Sequence, residues 1–159
     1  MKKINNKILF VSLIVILSVL LDQVTKMVAY IQKDKIGDGI KILDFFNIVY
    51  VENRGISFGI FSSLDASFYL GILSFLISGY IIFVIKMTKE FWEIMGLSLI
   101  LGGALGNGLD RVVNNYVIDF LDFYYNKFHW PAFNFADSFI TVGGIIFFWR
   151  IFFKNPKQK

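Results

Sequence analysis

Four long apolar stretches dominate the chain: about 8–30, 68–87, 91–109 and 138–153. Each approaches the ~20 residues that an α-helix needs to cross the hydrocarbon core of a bilayer. The first, ILFVSLIVILSVLLDQVTKMVAY, carries Asp22 and Lys26 in its second half. Two polar connections separate the apolar stretches, at about 31–67 and 110–137. The first of these contains KILDFFNIVYVENRGISFGIF, with β-branched and aromatic residues between Gly37 and Gly59, and predicts two or three short strands. The second is aromatic and ends near Pro131. Its Tyr116, Tyr124, Tyr125, His129 and Trp130 suit the headgroup level of a membrane. The pattern predicts a single domain over 1–159. The fold class is all-α integral membrane, with four transmembrane helices and a small extracytoplasmic β-rich cradle at about 37–60.

MKKINNK followed by an apolar run resembles a secretory signal peptide. However, the run exceeds a 7–15-residue h-region and no small-x-small site follows it, so the segment is expected to stay as a helix. Charge sets the orientation. Lys2, Lys3 and Lys7 before the first stretch, Lys86 and Lys89 around the short turn between the second and third, and Arg150, Lys154, Lys157 and Lys159 at the C-terminal end make nine basic residues against two acids, Glu90 and Glu93. The rest of the chain holds seven basic and ten acidic residues. The positive-inside rule then puts both termini in the cytoplasm and the two long connections outside. The net charge of +4 is therefore a topology signal, and no basic face predicts nucleic-acid binding. Cysteine is absent and histidine occurs once, which removes thiolate and histidine-cluster metal sites and a cysteine nucleophile.

Charges within or beside membrane spans need a physical reason to be there. Asp22 and Lys26 share a helix face at i, i+4 and can pair. GGALGNGLDR closes the third apolar stretch: Gly102, Gly103 and Gly106 allow close helix packing, and Asn107, Asp110 and Arg111 lie within about a turn of one another. Asp119 in VIDF and Asp137 in FNFADS are carboxylates in apolar, aromatic surroundings, joined by a connection that can fold them together. Two carboxylates in contact share a proton and titrate as a pair, and such a pair can activate water while protonating an amide. Asp137, near a helix N-terminus, is expected to be the more readily ionised of the two, because the helix dipole favours its charged form. Its alternative role is a helix N-cap. Ser57 or Ser138 with Lys26 would make a Ser–Lys hydrolase, and His129 could in principle serve a serine triad. A non-catalytic membrane subunit or a small transporter would also carry buried charges.

Five blocks, DQVTK at 22–26, ENRGISFGIF at 52–61, GGALGNGLDR at 102–111, VIDF at 117–120 and FNFADS at 133–138, together resemble the lipoprotein signal peptidase (signal peptidase II) family. The resemblance implies a bacterial inner-membrane aspartyl endopeptidase that cuts a prolipoprotein just before a diacylglyceryl-modified cysteine. Asp119 and Asp137 fall at the family's catalytic positions. Asn53, Asn107, Arg111 and Asn134 fall at substrate-binding positions, and Asp22, Lys26, Gly103, Asp110 and Ala136 at supporting ones. The resemblance further implies no metal or cofactor, a site near the outer membrane face, a lid-like segment at about 120–132, contact with membrane lipid, a monomer, and inhibition by cyclic peptide antibiotics. Arg54 and Phe135 depart from the commonest family wording and bear on the shape of the substrate groove.

Overall fold

The structure, a computed structural model, describes residues 2–55 and 66–153. Its helices are α1 (Lys2–Ile31), α2 (Lys33–Ile36), α3 (Ser67–Met87), α4 (Phe91–Asn114) and α5 (Phe135–Phe152). Its strands are β1 (Ile40–Leu43), β2 (Phe46–Asn53), β3 (Val117–Tyr125) and β4 (Phe128–His129).

Three helices, α1 from Asn6, α3 and α5, are long and apolar enough to cross a membrane. Their large side chains point outward, with Leu9, Leu13, Tyr69, Leu76 and Phe148 all exposed. Such faces would be untenable in water and suit lipid. The sequence predicts four spans, and α4 is the exception on apolarity. It has 24 residues but carries Glu93, Asn107, Asp110 and Arg111. The reason lies in its place: α4 packs against α1, α3 and α5, so much of its surface meets protein rather than lipid. Ile94, Leu97 and Leu101 of α4 bury against Ile81 and Ile85 of α3. On another face, Gly96 meets Gly143 of α5. A Cβ on Gly96 would lie 2.7 Å from the Gly143 carbonyl oxygen, and one on Gly143 would lie 2.5 Å from the Gly96 carbonyl oxygen. The two backbones approach as closely as small-residue helix packing permits.

At one end of the bundle the strands form an antiparallel sheet in the order β1-β2-β3-β4. The sequence pattern predicts strands in the first connection alone, whereas the second supplies β3, the longest strand. β3 pairs with β2 so that Val51 faces Asp119 and Asn53 faces Val117. Residues 117–120 are buried consecutively, so β3 lacks the in–out alternation by which a strand with one solvent face is read from sequence. Ala29, Ile36, Ile118 and Phe120 form a second small core where the sheet meets α1 and α2. The chain reaches β3 through Asn115, which ends α4 in the left-handed region at φ 61° and donates its N–H to the Arg111 carbonyl.

At the opposite end, Lys7 Nζ donates to the Lys86 and Thr88 carbonyl oxygens at 3.2 and 2.6 Å. Arg150 pairs with Glu90 at 3.1 Å. Lys7, Lys86 and Arg150 therefore lie at the end away from the sheet.

Candidate active site

Asp119, the third residue of β3, and Asp137, in the first turn of α5, line one cleft of about 540 Å³ together with Asn53, Ser138 and the run Trp130–Phe133. The α5 N-terminus settles the capping question. The helix begins at Phe135, and its N-cap is Asn134 rather than Asp137. Asn134 Oδ1 accepts from the Asp137 N–H at 3.0 Å and Asp137 Oδ2 accepts from the Asn134 N–H at 3.2 Å, a reciprocal capping box. One Asp137 oxygen thus closes the helix start, while the carboxylate as a whole still faces the cleft.

Three asparagines aim their NH₂ groups at the two carboxylates, and in each the orientation is fixed by a donor that only a carbonyl oxygen can meet. Asn134 Oδ1 is held by the Asp137 amide, so its Nδ2 points to Asp119 Oδ1 at 2.6 Å. Asn53 Oδ1 accepts from the Gly55 amide at 3.0 Å, so its Nδ2 donates to Asp119 Oδ2 at 2.9 Å. Asn107 Oδ1 accepts from Lys26 Nζ at 2.7 Å, so its Nδ2 donates to Asp137 Oδ1 at 2.8 Å. An amide with its oxygen pinned by an N–H or an ammonium has no alternative flip. The carboxylates are therefore oriented by backbone and by one buried cation.

That cation, Lys26, lies 2.8 Å from Asp22 Oδ2 and 2.7 Å from Asp110 Oδ2, with all three side chains buried. The contact to Asp110 is an ion pair without hydrogen-bond alignment. The directed bond to Asp110 comes instead from Gln23 Nε2 to Oδ1 at 3.0 Å. Asp22 Oδ1 accepts from the Ala136 N–H at 2.9 Å, which ties α1 to the start of α5. Room for this comes from α4: a Cβ on Gly106 would sit 2.6 Å from Asp22 Oδ2, and one on Gly103 would overlap the Ala136 carbonyl. Arg111 Nη2 donates to the Gly55 carbonyl at 3.3 Å and its guanidinium is within electrostatic reach of Asp137, Asp119 and Asp110.

Burial, and secondarily the Asp137 charge, push the Asp119 carboxyl up to about 6, against the opposing hydrogen bonds from Asn53 and Asn134.

The eleven residues that the resemblance puts at catalytic, substrate-binding and supporting positions all lie at this end of the bundle. Gln23 and Asp122 carry no separate signal in the sequence. Gln23 is uncharged and its helix-face neighbour at i+3, Lys26, already has Asp22 as a partner, and Asp122 is one more carboxylate in an aromatic run. The serine alternatives find no support. Ser138 Oγ donates to the Asn134 carbonyl at 3.0 Å, Lys26 is engaged by two acceptors and a further ion pair to Asp110, and His129 faces Asp122. Ser57 lies outside the described residues.

A family model described as signal peptidase (SPase) II matches residues 14–153. A lipoprotein signal peptidase of Thermodesulfovibrio yellowstonii is 40% identical over 141 residues, covering 87% of this chain and 92% of that protein. One from Aeromonas hydrophila is 41% identical over 133 residues, covering 80% and 79%. A solved bacterial membrane enzyme structure, determined by the in meso method at 2.3 Å resolution, superposes with a TM-score of 0.82 at 30% identity, covering 94% of this chain and 92% of that one. A second such structure, at 1.9 Å resolution, gives 0.75 at 31% identity, covering 92% and 94%.

Proposed function

The chain belongs to the signal peptidase II family, and on that premise we propose that it is an aspartyl endopeptidase that removes signal peptides from diacylglyceryl-modified prolipoproteins. The observation that carries the reading is the pair Asp119 and Asp137, brought from β3 and α5 into one cleft and held by oriented asparagine donors. In the reacting form Asp119 carries a proton and Asp137 is ionised. Asp137 takes a proton from water as the water oxygen attacks the scissile carbonyl, and Asp119 protonates the carbonyl oxygen. Asp137 then gives its proton to the leaving nitrogen while Asp119 recovers its own, so the pair ends as it began. Arg111 and the backbone around Gly55 are suited to position the substrate chain. No cofactor enters these steps.

Four membrane spans are part of this reading, with α4 as the fourth because three apolar helices flank it. The sheet then acts as a cradle at the outer face. Both termini lie in the cytoplasm of a bacterium, since Lys7, Lys86 and Arg150 gather at the far end. The cleft would then stand where a lipid-tethered cysteine stays in the outer leaflet, and a cyclic peptide inhibitor would occupy that same cleft. Within 120–132, residues 126–132 lie beyond the strand paired with β2, and we assign the lid to them.

The deciding experiment supplies the purified chain in liposomes with a prolipoprotein, lipidated or not at its cysteine. Cleavage directly before the cysteine of the lipidated form is expected, with little or none of the unlipidated form. Equal cleavage of both, or none of either, refutes the proposal.

The raised Asp119 value has a consequence for pH. Because the protonated form of Asp119 is the active one, kcat/KM is expected to fall as pH rises through about 6. Asn53 donates to the ionised carboxylate and so favours ionisation. Its removal in Asn53→Ala moves this alkaline limb to higher pH. A limb that moves down, or stays put, assigns the titration elsewhere.

A further inference from the structure

Beside the cleft, the same hairpin carries a second polar cluster that the reaction does not use. Asp122 on β3 is buried, accepts from Asn47 Nδ2 of β2 at 3.0 Å, and faces His129 Nδ1 at 2.9 and 3.0 Å from its two oxygens. The half-exposed His129 ring stacks on Tyr124, with centroids 5.1 Å apart. β4 is only two residues long, and the turn before it uses Asn126 at φ 54°. A hairpin that short has little stability of its own. Yet Trp130 to Phe133, which follow at once, form a wall of the cleft beside Asp119 and Asp137, and Trp130 to Ala132 also line a neighbouring hollow with Asp122 and His129.

The two ends of that wall are held differently. At its base, Phe133 exchanges backbone bonds with Leu121 at 2.9 and 3.0 Å, and its carbonyl also accepts from the Phe120 N–H at 3.0 Å. None of these bonds passes through His129, nor do the asparagine contacts that orient the two carboxylates. At its far end, Trp130 N donates to the Phe123 carbonyl at 2.8 Å, and His129 is the side chain that ties the returning strand to buried Asp122.

We infer that Asp122 and His129 form a latch that sets the pose of the 130–132 part of the wall, which makes His129 a positioning residue for the peptide in the cleft. This rests on the reading that the cleft holds a lipid-anchored peptide. Because the reacting groups are fixed independently of the latch, its loss loosens contacts made equally in ground and transition states. That raises KM and leaves kcat.

The test compares His129→Ala with His129→Asn in the full chain in liposomes. The Asn Nδ2 donor stands two bonds from Cβ, as Nδ1 does in histidine, and can reach Asp122. His129→Ala is expected to raise KM about tenfold, the lower end for a lost hydrogen bond to a charged group, at near-parental kcat. His129→Asn should return KM most of the way. A second arm uses substrate-free protein with Trp92→Phe and Trp149→Phe, leaving Trp130 as the fluorophore. There His129→Ala shifts the emission to the red and increases acrylamide quenching, and His129→Asn does neither. A loss confined to kcat, an Asn variant that behaves as Ala, or an unmoved Trp130 emission each overturns the latch. The emission arm needs no turnover. Failure of the parent chain to process lipidated substrate would therefore sink the functional reading while the latch is still decided.

Discussion

Replacing either Asp119 or Asp137 with asparagine is expected to abolish prolipoprotein processing, lowering kcat/KM by at least ~10³-fold, within the range for a lost general acid or base. The shapes of the side chains barely change, so the loss isolates proton transfer. The surroundings sharpen this further. At Asp119 both oxygens receive donors, Asn134 Nδ2 and Asn53 Nδ2. At Asp137 the donors are Asn107 Nδ2 and the Asn134 amide. The oxygens of the three asparagines are pinned, so none of these side chains can flip to accommodate a new NH₂. Each variant therefore sets donor against donor at one contact, at about 1–3 kcal/mol. Relief of the repulsion between two carboxylates offsets part of that. Thermal unfolding in detergent should accordingly move by only a few degrees while turnover disappears. Ser138→Ala is the control, since its hydroxyl serves a helix carbonyl, and it should process near the parental rate. Processing by either asparagine variant at the parental rate removes the dyad from the mechanism.

How much of this could be read from the sequence depends on which physical signal each part leaves. Apolar length marks α1, α3 and α5 because lipid meets most of their surface. α4 is weaker in that signal because it faces protein, and its polar end, Asn107 to Arg111, is legible instead as charge that needs a partner. Asp22 and Lys26 show themselves by their i, i+4 spacing on one helix, but the third and fourth members of the cluster, Asp110 and Asn107, come from α4. Their meeting with Lys26 is a packing fact that glycines at 103 and 106 permit. β3 stays hidden because its first four residues are buried in succession, which removes the alternation there. The reciprocal cap between Asn134 and Asp137 stays hidden because FNFADS offers three residues able to cap, Asn134, Asp137 and Ser138, and only the helix start at Phe135 chooses among them. Asp122 and His129 are seven residues apart across a hairpin whose register the sequence does not specify.

Lys26→Met is expected to be the most damaging single change to the fold. The nearly isosteric methionine keeps the packing volume but strips the cation from two buried carboxylates, Asp22 and Asp110, and from the oxygen of Asn107. Removing one partner of a buried ion pair costs about 3–5 kcal/mol, a large share of the ~5–15 kcal/mol that holds a typical domain together. Lys26→Met should therefore lower the midpoint of unfolding sharply and reduce the yield of membrane-inserted protein. It should also slow turnover in whatever folds, because Asn107 loses the donor that fixes its flip and its NH₂ is no longer committed to Asp137. Damage from unpaired charge rather than lost volume has a distinctive signature. Adding Asp110→Asn to Lys26→Met removes one stranded carboxylate, and the double variant should be more stable than Lys26→Met alone, although Asp110→Asn by itself removes a partner from Lys26. Such coupling is expected for side chains sharing one network. Asp22 would then remain with the Ala136 amide and Gln23 as its donors, so recovery should be partial. Additive losses in the double variant, measured by thermal unfolding in detergent, would show that the cluster contributes packing rather than charge balance.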